Sequence, residues 1–342
     1  MSRVFVHGQG AVSPAGWGVP VLRAALEKQR PLPVQSLART GWDEPLPVRV
    51  VPPPAVRPAF MAHPRMRRAS PMTHYAVGAA LEALGSDAEL IRSGNLRLGV
   101  VTCTLAGGLS YSRRFYQEVL QSPASASPMI FPETVFNSSA SHLAAYLDSS
   151  AINYSLVGDA GTFLQGLAVA ADWLETDQAE ACVVIGMEET DWTAADALRL
   201  FDKRAIHSAG AGALYLANRP RAGALVELAA VTDSFAATRT LGRHEAARRM
   251  RAQLPVGAPG ELLCSSERDH PAWKDWQGRE LTPTETLGQA FAAAAAWQCV
   301  AACDALQRSE CAAANVSITG ASLQAIAARF VNPHPPTTQE QT

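Results

Sequence analysis

The sequence predicts an α/β fold in which helices are sandwiched between layers of sheet, and three observations point there. Strand-like and helix-like segments alternate along most of the chain. Several strand-like segments, LRLGVVTC at 96–103 and ACVVIG at 181–186 among them, are almost continuously apolar, as strands buried on both faces are. Two helix-like stretches, residues 161–175 and 284–307, are apolar nearly all round and sit in two similar halves. A helix of that kind is covered on every side.

In chain order, residues 4–6 read as a short strand and GQGAVSPAGWG as a glycine loop. Residues 19–28 follow as a helix. The stretch 31–58 is proline-rich, with PPP at 52–54, and predicts an extended surface segment. Helices are expected over 73–84, 138–147 and 161–175, and strands over 96–103, 153–157, 181–186, 211–216 and 225–231. The second half repeats the theme with a strand at 261–264, one long helix over 284–307, and a closing pair of strands at 316–319 and 324–330. The polar, proline-bearing tail from Asn332 is expected to be flexible.

Composition removes whole classes of function. At 342 residues and 48% hydrophobic, the chain buries a large core, which excludes disorder and fibres. A net charge of −2 lacks the basic footprint of a nucleic-acid binder. The apolar run AFAAAAAWQCVAA at 290–302 is shorter than the ~20 residues that span a membrane, so no span is expected. With no secretory signal pattern at the start, the expected location is cytoplasmic.

No metal site is predicted, because Cys299 and Cys303 form an i, i+4 pair with no second pair of ligand spacing. They read as small buried thiols. GQGAVS at 8–13 and GAGALY at 210–215 each lack the third glycine of a dinucleotide fingerprint, and no cofactor is expected.

The informative segment is 153–188: strand, sharp turn, apolar helix, strand. A turn at a helix N-terminus stabilises a thiolate or an oxyanion, so the segment is built like a nucleophile pocket. The turn, Gly158-Asp159-Ala160-Gly161, has no thiol or hydroxyl before Thr162.

Several further segments carry a resemblance. GQGAVSPAGWG is similar to a G-x-G-A-V-S-P-x-G turn, and RMRRASPMTHYAVGAALEAL at 65–84 to the helix after it. FPETVFNSSASHLAAYL at 131–147 resembles F-P-x-T-V-x-N-x-x-x-x-H-L-A, and VVIGMEE at 183–189 a G-G-x-E strand. SAGAGALYL at 208–216 and LTPTETLGQAFAAAAAW at 281–297 resemble the G-E-G-A-G-x-L-V-L and S-T-K-x-x-x-G-H-x-x-G-A-A-G segments. These are the motifs of the β-ketoacyl-ACP synthases of fatty-acid and polyketide assembly. The resemblance covers nearly the whole chain and is thinner after residue 220. It implies a thiolase-like layered αβαβα fold of two pseudo-repeated halves, 1–220 and 221–331, with 332–342 as tail.

The resemblance also locates what is missing. The family's acyl-accepting cysteine falls on Ala160, or on Asp159 with a one-residue shift. Its first histidine falls near Ser265, its second on Gln289 and its lysine on Thr284. Alanine carries no acyl group, and Ser and Gln do not replace a titrating pair. The implied function is that of a chain length factor, a non-catalytic paralogue that heterodimerises with an active synthase and limits the acyl tunnel. An acyl carrier protein would meet this chain only through that partner. A type II polyketide system, such as one making aryl polyenes, is the implied setting. Leu109, Tyr111, Phe115, Phe131 and Phe136 are the candidate tunnel-gating residues, with simple core packing as the bland alternative. The arginines Arg65, Arg67 and Arg68 and those of 243–251 read as solvated surface. The competing reading is a diverged acyltransferase or hydrolase using Cys264 with His270, or Ser265. The chain is also shorter than the synthases it resembles, with the shortfall expected at 189–208 and around 263–285.

Overall fold

The computed structural model describes residues 3–221, 226–319 and 324–333. The tail beyond residue 333 lies outside them.

The first half opens with β1 (Phe5–Ser13), its hairpin partner β2 (Gly16–Trp17) and α1 (Val19–Glu27). Two strands follow, β3 (Gln35–Leu37) and β4 (Leu46–Arg49), then α2 (Pro71–Leu84), capped by the Ser70 hydroxyl on Thr73 N, and α3 (Asp87–Arg92). Next come β5 (Leu98–Thr104), α4 (Leu109–Gln121), α5 (Ser138–Tyr146), β6 (Ile152–Val157), α6 (Thr162–Glu175) and β7 (Ala181–Glu188). The half closes with α7 (Trp192–Phe201), β8 (His207–Ser208) and β9 (Gly210–Ala217). The second half holds β10 (Val226–Val231), β11 (Phe235–Ala236), α8 (Arg243–Ala252), β12 (Leu262–Ser265) and β13 (Arg279–Leu281). It ends with α9 (Pro283–Leu287), α10 (Phe291–Gln307), β14 (Ala313–Ile318) and β15 (Gln324–Val331).

The halves share one topology. In the first, the strand order is β1-β9-β7-β5-β6; in the second it is β10-β15-β14-β12-β13. The hands of pairing match position by position. β1–β9 and β9–β7 are antiparallel, as are β10–β15 and β15–β14. β7–β5 and β5–β6 are parallel, as are β14–β12 and β12–β13. The two sheets join where Phe5 and Val6 of β1 pair with Glu227 and Val226 of β10.

Three of the four apolar cores among the described residues lie between the five layers, and a small fourth packs β4 on α7. One lies between α2 and the first sheet, and one between α8 and the second. The third and largest lies between the sheets around α6 and α10. This is the thiolase-like αβαβα arrangement that the sequence predicts. Every residue of α10 from Ala292 to Leu306 is buried, including both Cys299 and Cys303, because it runs through the centre. Its buried ring, Trp297, satisfies its indole N–H by donating to Val12 O and Ala211 O at 3.1 and 3.0 Å.

Several expectations need correction. The first strand does not stop at residue 6 but runs through the glycine segment to Ser13. A Cβ on Gly8 or Gly10 would stand 2.0 Å from Ala83 O or Ala79 O, so these glycines let α2 lie directly on the strand. The expected helix over 284–307 is two helices, broken at Gly288, whose φ of 91° no ordinary side chain adopts easily. The proline-rich stretch is not wholly superficial: β4 buries Leu46 and Val48 and pairs with β3 and β8. Residues 109–121 and 192–201 form helices that apolar periodicity did not flag. α6 is not covered all round, since Ala168 and Asp172 face solvent.

Candidate functional site

The site is built where the C-terminal ends of the strands meet the turns after them. Ala160 lies in the turn between β6 and α6, 5% exposed, and offers only a methyl group. Asp159 Oδ1 accepts from Gly161 N at 3.1 Å, which fixes the turn.

Ser265 ends β12 and is fully buried; its hydroxyl donates to Glu267 O at 2.6 Å. Thr284, in α9, donates to Ser266 O at 2.9 Å. Gln289 sits in the break before α10, where its Oε1 accepts from Phe291 N at 3.1 Å. Its backbone is tied to the other half through Gln289 N to Ile206 O, 2.8 Å, and Ser208 N to Gln289 O, 3.0 Å. The Ser266 hydroxyl donates to Thr319 O and accepts from Thr319 N, closing the network onto β14.

Thr284, Gln289, Ser266 and Thr319 line one cleft of 510 Å³, together with Arg49, Arg204 and Arg243. A second cavity of 210 Å³, which shares Arg243, Glu267 and Thr319, continues from it past His244 and His270 to Gln324. Gly161 stands against Gln324, so the turn bearing Ala160 lies at the far end of the same path. Of the four marked residues, Thr284 and Gln289 line the cleft; Ser265 and Ala160 line neither cavity, and reach this region only through their chain neighbours Ser266 and Gly161.

Cys264 and His270 do not form a reactive pair. Cys264 is fully buried in the central core, and burial pushes its thiol far above the usual range. His270 lies against the α8 layer, where its Nδ1 accepts from Ala272 N at 3.2 Å and burial lowers its pKa. His270 has His244 and Glu267 for neighbours, not the Cys264 thiol. Among the described residues no cluster of three or more His, Cys, Asp or Glu is arranged to hold a metal ion.

The five gating candidates share a different region. α4 contributes Leu109, Tyr111 and Phe115, and no residue of α4 is buried. Phe131 and Phe136 are 53% and 43% exposed. Phe115 and Phe131 stack at a tilt with centroids 5.5 Å apart. These rings do not pack a core of the single chain. The loop leading into α4 is anchored from behind by two buried carboxylates at the end of β7. Glu188 accepts from Thr104 Oγ1 and from the N–H groups of Leu105 and Ala106, while burial pushes its pKa up to about 8. Glu189 accepts from Ser110 N and Oγ.

Edge strand β6, which no other strand covers on its outer side, leaves Ile152, Tyr154 and Val157 exposed. Composition could have flagged this strand, INYSLV, as an edge with apolar side chains to spare, but only the sheet order shows that it is one. Of the basic runs, Arg65, Arg67 and Arg68 are exposed, while Arg248 and Arg249 are paired with Glu245 on their own helix and Arg251 lies over Trp273.

No family model matches the chain, and no curated protein matches it. Solved structures do. The chain has the fold of the ketosynthases: it superposes on the type II polyketide AntDE:AntF complex, an acyl-carrier protein with its ketosynthase, at a TM-score of 0.79 and 16% identity, over 96% of this chain and 99% of that one. The ishigamide ketosynthase/chain length factor matches at 0.79 and 16% identity, over 97% and 100%. A β-ketoacyl synthase from Burkholderia phymatum matches at 0.78 and 16%, over 98% and 100%. Among the described residues no helix is long and apolar enough to cross a membrane.

Proposed function

We propose that this chain is a non-catalytic ketosynthase-like subunit, a chain length factor, that heterodimerises with an active β-ketoacyl-ACP synthase and shapes its acyl tunnel in type II polyketide assembly, with aryl polyenes as the candidate product class. The observation that carries this reading is the chemistry at the four positions that the resemblance marks. They hold a methyl group at Ala160, hydroxyls at Ser265 and Thr284 committed to carbonyl oxygens, and an amide at Gln289 committed to a backbone N–H. None of these supplies a thiolate, an imidazole or an ammonium group.

The edge at β6 supports the partner. An apolar, open edge strand is an aggregation hazard unless something pairs with it. With this reading goes the division into halves 1–220 and 221–331. Leu109, Tyr111, Phe115, Phe131 and Phe136 are then the residues that reach the shared tunnel. The acyl carrier protein docks on the active partner.

Co-expression with an active synthase tests the proposal. A stable one-to-one complex by native mass spectrometry is expected, and Phe115→Ala or Phe131→Ala in that complex should lengthen the product. A chain that stays monomeric in the presence of the synthase would sink the reading. Intact assembly with unchanged product length would leave it a scaffold.

A further inference from the structure

We propose that Glu189 and Asp191, just after β7, are positioning residues for the tunnel gate: they fix α4 through Ser110 and Arg113, and so set where Phe115 stands. This rests on the chain-length reading, in which Phe115 gates the tunnel. A helix in a folded protein is ordinarily held by the apolar face that it buries. α4 buries no residue, and it packs on the short turns at 123–125 and 131–133. Its ties to the end of β7 are polar. Ser110 N and Oγ donate to Glu189 at 2.6 and 2.9 Å, and Arg113 Nη1 lies 2.7 Å from Asp191 Oδ2.

Both carboxylates are buried and fixed from behind. Asp191 Oδ1 also accepts from Thr193 N at 2.8 Å, which caps α7. Glu189 does for α4 what its own capping residue does not. That residue is Gly108, which has no side chain to accept from the first turn. An acceptor carrying negative charge at this end satisfies a free N–H and meets the positive end of the helix dipole. Ser110 and Arg113 are three residues apart and share one face of α4. Two anchors so spaced define a direction, where one would leave a pivot. The chain before them adds little stiffness, since it enters α4 through Gly107, at a φ of 61°, and Gly108. Phe115 lies about 7.5 Å further along the axis than Ser110, so a tilt about the anchors moves its ring against Phe131.

Hydrogen exchange of the full chain tests the positioning. Glu189→Ala should speed exchange across 110–116 about tenfold and leave β5, β7 and β9 as they were. Glu189→Gln keeps an acceptor for Ser110 N and should restore most of the protection. Should Glu189→Ala fail to fold, Ser110→Ala removes one of the same bonds from a partly exposed position and should speed exchange there about threefold. In the complex with a synthase, the folded variant should lengthen the product as Phe115→Ala does, with Glu189→Gln returning it to the wild-type length. Unchanged exchange across 110–116, or faster exchange throughout the sheet, overturns the proposal. So does a product length that moves with Phe115→Ala and not with the anchor variant. A length that moves with neither, in an intact complex, brings down the chain-length reading itself and the gate with it.

Discussion

His142 Nε2 lies 2.5 Å from Glu133 Oε1, and this partly buried pair ties the turn that carries Phe131 to helix α5. Burial alone would push the Glu133 carboxyl up. The His142 hydrogen bond and charge, with Ser70 N and the Ser138 hydroxyl also donating, outweigh that and hold it below its ordinary 4.5. Because the folded value is depressed, the stabilisation is complete above the unfolded value and is lost as pH falls through the folded one. His142→Ala should cost about 1–3 kcal/mol near neutral pH. In urea melts across a pH series, the gap from wild type should close on acidification past that depressed value. A gap that persists in acid would show that the loss is one of packing.

Gly10→Ala is expected to be among the most damaging small substitutions in the protein. The added methyl would meet Ala79 O at 2.0 Å, and both partners are backbone in the middle of packed elements. Overpacking of this kind costs ~1–3 kcal/mol, more where nothing can yield. Thermal unfolding of the variant measures it.

The edge strand makes a contrast with that core site. Tyr154→Lys and Val157→Lys change residues that are 56% and 50% exposed, so the single chain should keep its stability within about 0.5 kcal/mol. Association with a synthase should be lost, because lysine on an open edge opposes strand pairing. Parallel melting curves and size-exclusion runs separate the two effects. Retained assembly would mean that the contact lies elsewhere.

Thiol reactivity follows burial. Cys264, Cys299 and Cys303 are fully buried with their pKa values pushed far up, while half-buried Cys311 is pushed up to about 11. Under native conditions, iodoacetamide should label Cys311 first and slowly, and leave the other three intact until unfolding. Peptide mass mapping reads this directly. Early modification of Cys264 would revive the case for a reactive thiol.

Restoring a cysteine should not restore catalysis. Ala160→Cys would place a thiol at the turn before α6, yet Ser265 and Gln289 provide no titrating group to assist it. Incubation of the variant with acyl- and malonyl-carrier protein should yield no condensation product. Measurable condensation would refute the assignment of those positions.

Much of this was legible in the sequence because it is local or periodic. The continuous apolar strands, the charge-free stretch that becomes α10, and the absence of a thiol in the Gly158–Gly161 turn are all properties of short segments. The resemblance to synthase motifs also pointed to the fold, which the superposition on solved ketosynthases shows. What the sequence did not determine is which surfaces meet. Apolar residues on α4 read more readily as core than as an open face, and only the tertiary arrangement leaves none of that helix buried. The glycines at 8 and 10 read as a loop until α2 is seen lying on them, and Gly288 breaks a helix at a positive φ, with Ile206 O 2.7 Å from where its Cβ would stand. Arg49 looks like one more surface arginine in a proline-rich stretch, yet it ends up buried at the cleft that Thr284 and Gln289 also line. Burial depends on what packs against a residue from far along the chain, and that is set by the two sheets coming together, not by the residue's own neighbours.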